Sequence, residues 1–237
     1  MADNRITKHR LKNHWTYSWW KYLLMAVLVV CGVNIVFSMT AYRAPEHRKL
    51  EIFLCNGWAD AMKMQEELWP AVQEMAPDQE EMIVMNIDLT SNDAYTRMQY
   101  STYMAAQQGD LLLIPKSEMK QLAGDEAWVA FVELTPYIES GLLDVKDIDL
   151  TSGMYRDEFG EKKLYGIPAD TLYGLTPYGI DPADSMMVVT AFSGNEENVV
   201  RLMDLFIERF STEKPDFYDE WHQQRRKAAG SSSQIFN

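Results

Sequence analysis

The alternation of apolar and polar positions divides the chain into one long unbroken apolar run and a series of shorter ones. Tyr22 to Tyr42, YLLMAVLVVCGVNIVFSMTAY, carries no charged side chain, and Asn34 is its only strongly polar one. At about 1.5 Å rise per residue, a helix of that length spans roughly 30 Å, the thickness of a bilayer's hydrocarbon core. Trp15, Tyr17, Trp19, Trp20 and Tyr22 crowd its amino-terminal edge, as amphipathic rings do at a headgroup layer. The pattern predicts a basic segment over 1–21, a transmembrane helix over 22–42 and a short polar linker over 43–49.

After the linker the runs become short and alternate in kind. Leu50–Cys55 reads as a strand ending at the turn signal Asn56-Gly57. Ala59–Met75 reads as a helix with Met62, Glu66 and Trp69 at helical spacing, and Pro70 is expected to kink or split it. Met82–Leu89 is the second strand. A helix to about Ala106 follows, with Tyr95, Met98, Thr102 and Ala105 along one face. Asp110 opens a third strand, Leu111–Ile114, and Ser117 caps a short helix. Nearly continuous apolar strands alternating with helices predict an α/β fold, a parallel sheet with helices on both faces. Ligands of such sheets sit at the carboxyl ends of the strands.

The later part is less regular. Trp128–Leu134 reads as extended, Thr135–Glu139 as a helical turn, Phe159–Leu164 as a hairpin turn and Leu172–Leu175 as extended. Met186–Ala191 is a strand and Glu196–Phe210 an amphipathic helix, with Val199, Leu202, Met203, Phe206, Ile207 and Phe210 on one face. These elements group into one lobe over 50–212. The tail over 213–237 shows no core pattern beyond a few aromatics and ends in a stretch expected to be disordered.

Charge then assigns sides. Residues 1–42 hold five Lys/Arg and one acid; of the 22 basic and 35 acidic residues in the whole chain, 17 and 34 remain beyond them. Basic flanks stay cytoplasmic, which places the N-terminus inside and the acidic lobe outside the cell membrane, single-pass. An acidic lobe repels phosphate backbones, so nucleic acid is a poor partner. The apolar run is longer than a secretory core and no A-x-A-like site follows it, which favours an uncleaved signal anchor. Bulky Val30 before Cys31 argues against a lipoprotein site. Cys31 and Cys55, one inside the span and one beyond it, cannot build a disulfide framework.

Chemistry is sparse. Asp144, Asp147 and Asp149 are spaced loosely like metal ligands, but the glycine and terminal glutamate of a calcium loop are missing, so no metal is expected there. Beyond the apolar run the chain has only His47, in the linker, and His222, in the tail, with no nucleophile elbow, zinc-protease motif or phosphate-binding glycine loop; no enzyme and no cofactor are expected.

Four short stretches, in order, carry a resemblance: the first strand leading to Asn56-Gly57-Trp58; Ala105-Ala-Gln-Gln-Gly-Asp110; Leu134-Thr-Pro-Tyr-Ile138; and Lys163-Leu-Tyr-Gly-Ile-Pro168. Together they resemble the extracellular solute-binding proteins of bacterial ABC transporters, especially the sugar-binding class. The resemblance covers roughly residues 50–210 and implies a periplasmic-binding-protein-like lobe. Members of that family close two lobes on a ligand, and too little chain follows Pro168 for a second lobe, so a single lobe is expected. If a solute is bound, Trp58 offers a face for a sugar ring, Asn56, Asp88 and Asp110 offer hydrogen bonds, and Tyr173 and Tyr178 add aromatic surface. Each also has a plainer role: Trp58 as packing at a helix start, Asp110 as a turn or cap, Asp88 as the end of a strand. The function expected is a membrane-anchored binding module accessory to carbohydrate or other solute uptake. The alternatives are a ligand-free lobe that docks a transporter permease or cell-surface complex, and a sensor acting through a partner.

Overall fold

The computed structural model describes residues 8–40, 44–91, 93–123, 130–146 and 148–232. The chain divides into two units, Met1–Arg43 and Ala44–Asn237, each taken here by itself. In the first, helix α1 runs Lys8–Thr40, and its Trp15–Thr40 portion is long and apolar enough to cross a membrane, with mean hydropathy 2.4. Two of its polar side chains bond back within the helix: Asn34 donates to Val30 O at 2.9 Å and Thr40 to Val36 O at 2.8 Å. That local pairing lets a lone Asn sit in an apolar surrounding at low cost. Trp15 and Tyr22 stack at the amino-terminal edge, ring centroids 6.1 Å apart.

The second unit is an α/β lobe. Strand β1 (Lys49–Leu54) leads to α2 (Ala61–Met75), β2 (Glu81–Asn86), α3 (Ala94–Ala105), β3 (Leu111–Pro115) and α4 (Lys116–Ala123). The short helix α5 (Thr135–Glu139), the hairpin β4–β5 (Met154–Arg156, Lys162–Leu164) and β6 (Ile167–Pro168) follow. Last come β7 (Ser185–Val189), α6 (Glu196–Phe210) and α7 (Tyr218–Ser232). The sheet order is β2-β1-β3-β7-β6. β1 pairs parallel with β2 and β3, whereas β7 runs antiparallel to β3 and β6 antiparallel to β7. The chain moves outward from β1 to β2, then crosses back to β3. That reversal is a topological switch point, between the carboxyl ends of β1 and β3.

Both sheet faces are covered, and strand alternation sorts the core into two clusters. Leu50, Ile52, Leu54, Leu111, Leu113, Met187 and Val189 face α2 and α6. Phe53, Leu112, Ile114, Met186 and Val188 pack on the other side with Tyr100 of α3 and Met119 of α4.

Five expectations differ from the structure. α2 buries Met64, Leu68 and Val72, while Met62 is 74 % exposed. α3 likewise turns Tyr100 inward and leaves Tyr95 and Met98 outside. In both, the sequence offers two apolar stripes and burial selects the one nearer the sheet. Pro70 does not split α2, which is continuous through it. The stretch after Leu172 is a 3-10 helix, Tyr173–Tyr178, ended by Gly179 in the left-handed region; Gly174 lets it press on the backbone of Phe210. The tail supplies a full helix, α7. Trp128, Val129 and Asp147 lie outside the described residues.

Candidate functional site

The carboxyl edge of the sheet collects a group of convergent polar side chains. After β1 the chain turns at Gly57, whose φ of +82° is open to glycine at little cost and strained for an L side chain. Asn86, at the end of β2, donates to Leu54 O and Gly57 O at 2.9 and 2.8 Å and fixes this turn. Buried Asn56 donates to Ser185 Oγ at 2.8 Å and to Asp181 O at 3.1 Å, tying β1 to the start of β7. Lys116, just past β3, pairs with Asp170 at 2.6 Å.

Helix α7 lies over this edge. Tyr218, His222 and Arg225 recur at i, i+4 and i+7, which places them on one helix face. The Tyr218 hydroxyl donates to Asp181 Oδ1 at 2.7 Å, and His222 Nδ1 lies 2.6 Å from Asp181 Oδ2. The Arg225 guanidinium donates to Gly179 O, with a longer contact of 3.5 Å to Asn56 O, and stands over the Trp221 ring. A β-carbon on Gly57 would overlap Arg225 Nη2, so the guanidinium occupies space that only glycine leaves open. Burial, then the Asp181 carboxylate, pushes the Tyr218 hydroxyl well above the usual phenol range. Tyr178 nearby is pushed up to about 12 by burial and by its hydrogen bond to Glu67. The crevice where an α/β sheet ordinarily receives a ligand is thus filled by the chain's own side chains.

The five residues singled out in the sequence fall in different settings. Asn56 is at the switch point, with its side-chain NH2 engaged by Ser185 Oγ and Asp181 O. Trp58 is beside it and 71 % exposed, its backbone close against Gly179. Tyr173 is half-buried, with its ring edge-on to Tyr218 at 4.9 Å. Asp88 follows β2 and caps its own turn, accepting from Thr90 N at 2.9 Å and Ser91 N at 3.2 Å. Asp110 lies at the opposite, amino end of β3, accepting from Glu51 N at 2.8 Å and Ser193 Oγ at 2.7 Å. Burial raises its carboxyl above the ordinary range, and those two donors offset part of the rise. The structure brings Asn56, Trp58 and Tyr173 together and leaves Asp88 and Asp110 apart from them. Sequence reasoning missed Asp181, Tyr218, His222 and Arg225. The i, i+4, i+7 spacing in the tail was the signal available for three of them.

A separate open cleft of about 340 Å³ lies near the β4–β5 hairpin, lined in part by Glu133, Asp157, Phe159, Lys163 and Glu196. Lys163 bridges Glu133 and Asp157 there at 3.0 and 3.3 Å. Burial Cys55 experiences pushes its thiol up, away from nucleophilic chemistry.

Protein-family models and curated proteins give no match to this chain. Among solved structures it is similar to an extracellular solute-binding protein family 1 from Alicyclobacillus acidocaldarius subsp. acidocaldarius DSM 446, at 15 % identity and a TM-score of 0.35. That similarity covers 54 % of this chain and 29 % of the other. It is also similar to a probable secreted solute-binding lipoprotein from Streptomyces coelicolor, at 15 % identity, TM-score 0.31, covering 54 % of this chain and 30 % of that one. The chain spans less than a third of either protein's length. Likeness at these scores carries no argument about what this chain binds.

Proposed function

We propose that this chain is a membrane-tethered, extracytoplasmic docking module: a single α/β lobe that fills its own crevice and offers the surface beside it to a protein partner. The lobe faces outward with the N-terminus cytoplasmic, on the strength of the basic residues that precede the apolar run beginning at Tyr22. The observation that carries the reading is the engagement of Asn56 and Asp181 by the chain itself, through Ser185, Tyr218 and His222, with Arg225 in the slot at Gly57. A site built for a sugar leaves polar groups free to converge on hydroxyls; here they are already paired. Trp58 and Met62 stand exposed beside the filled crevice, and exposed large apolar side chains together mark contact surfaces more often than solvated ones. A transporter permease or another membrane protein of the same cell envelope is the partner class that fits a lobe held at the membrane.

One observation favours the second reading, accessory binding of a sugar or other small solute. Of the described side chains on α7, only Tyr218 is buried. A helix held mainly by polar contacts can open at modest cost, exposing Asn56, Trp58 and Tyr173 to a solute.

The test uses the full chain in its native membrane with a photo-crosslinking residue at position 58, and the same residue at Phe159 as the control site. A discrete protein adduct from position 58, absent from position 159, is the expected result. In parallel, the full chain in micelles is heated with a panel of sugars, amino acids and short peptides. A saturable Tm rise with any of them, lost in Trp58→Ala, would overturn the docking reading in favour of the solute one.

A further inference from the structure

We propose that Asp181, Asp184 and His222 form a binding site for a zinc-class divalent metal ion, which staples α7 to the carboxyl edge of the sheet. The three side chains come from two segments about forty positions apart in sequence, yet their ligand atoms lie within 4.8 Å of one another. Asp181 stands before a short 3-10 turn, Pro182–Asp184, which carries Asp184 round to the same side. His222 reaches the pair from the second turn of α7.

The donor chemistry selects the metal. One imidazole nitrogen with two carboxylate oxygens suits zinc and its neighbours, which accept mixed N/O sets in four-coordinate geometry. Calcium and magnesium take six or more oxygens and gain nothing from the imidazole. Asp184 is exposed, so the fourth position opens to solvent and a water completes the shell.

The surroundings are organised as for a metal ligand. Asp181 Oδ1 is held by the Tyr218 hydroxyl at 2.7 Å and by Ala183 N at 3.3 Å, which fixes the carboxylate and leaves Oδ2 aimed at His222. Such outer partners orient ligands and sharpen their affinity. Among the described residues, no hydrogen bond or ion pair falls on the Asp184 side chain, so one carboxylate of the cluster stands uncompensated.

Geometry asks for a small adjustment. Tetrahedral zinc with ligands at about 2.0–2.1 Å holds them roughly 3.3 Å apart. The Asp181–His222 pair, at 2.6 Å, opens by about 0.7 Å, and the exposed Asp184 side chain rotates inward. His222 then coordinates through Nδ1, keeps a proton on Nε2, and gives up the proton it shares with Asp181 to solvent. The inference does not depend on whether the adjoining surface docks a protein or a solute.

The experiment is zinc titration of the tag-free, full-length chain in micelles, after EDTA treatment and removal of the chelator, read by calorimetry and by Tm. Zinc is expected to bind saturably, to raise Tm and to be reversed by EDTA, while magnesium does neither. Asp184→Asn, which costs the fold no bond, is expected to weaken zinc by at least about tenfold. His222→Gln is expected to abolish it. No saturable binding by the unaltered chain would overturn the proposal. So would an unchanged zinc affinity in Asp184→Asn, which would place the ion elsewhere.

Discussion

Gly57→Ala tests directly whether Arg225 holds the slot at the switch point. Two separate costs are expected. Gly57 sits at φ +82°, where an L-residue loses about 1–2 kcal/mol. The added methyl also overlaps Arg225 Nη2 and drives the guanidinium out. A hydrogen bond from a charged donor is worth about 1.5–3 kcal/mol when buried. Arg225 is half-exposed, and solvent screening brings its bond to Gly179 O nearer about 1 kcal/mol. Gly57→Ala should therefore cost about 2–3 kcal/mol in the unaltered chain, a Tm fall of roughly 5–10 °C for a lobe of this size. In an Arg225→Ala background only the backbone cost of about 1–2 kcal/mol remains. Urea unfolding of both single variants and the double variant, followed by tryptophan fluorescence, gives the coupling by a double-mutant cycle. A coupling of about 1 kcal/mol is expected. Equal cost of Gly57→Ala in both backgrounds would refute the placement of Arg225 and, with it, the self-filled crevice.

Two further outcomes follow from the lobe's interior and its hairpin. Burial alone would raise the Asp157 carboxyl, but the Glu161 N–H, the Lys163 ammonium and the Phe159 N–H outweigh it and hold the group below its ordinary range. A depressed carboxylate stabilises the fold above its unfolded pKa and loses that contribution as pH falls through its folded value, so the hairpin should weaken below about pH 4. Asp157→Asn should flatten that acid limb in urea midpoints measured against pH; an unchanged limb would assign it to Asp93, Asp144 and Asp149, whose carboxyls are also lowered. Gly153→Ala sets a β-carbon against Gly166 O, a backbone atom that cannot swing aside, and should cost about 3 kcal/mol in chemical denaturation. Gly194→Ala, with open space at its β-carbon, should stay within about 0.5 kcal/mol as the matched control.

What the sequence determined by itself is local and periodic. The long uncharged run specifies a helix long and apolar enough to cross a membrane, because such a helix satisfies its own backbone and even its Asn34. Leu111–Ile114 declares a strand buried on both faces through unbroken apolarity, and Glu196–Phe210 declares one apolar helix face; both form with almost the expected bounds. The tertiary structure decided everything that rests on partners distant in the chain. Two stripes compete on α2, and only the position of the sheet selects Met64, Leu68 and Val72 over Met62. Asp110, read as a ligand contact, already opens its strand in the sequence; the parallel register with β1 decides that it sits beside Glu51 and binds there. The tail showed no core pattern because α7 is fastened by hydrogen bonds from Tyr218 and His222 to Asp181, 37 and 41 positions away. Burial leaves an apolar period in the sequence; a long-range polar contact leaves at most a spacing on one helix face and no sign of its partner.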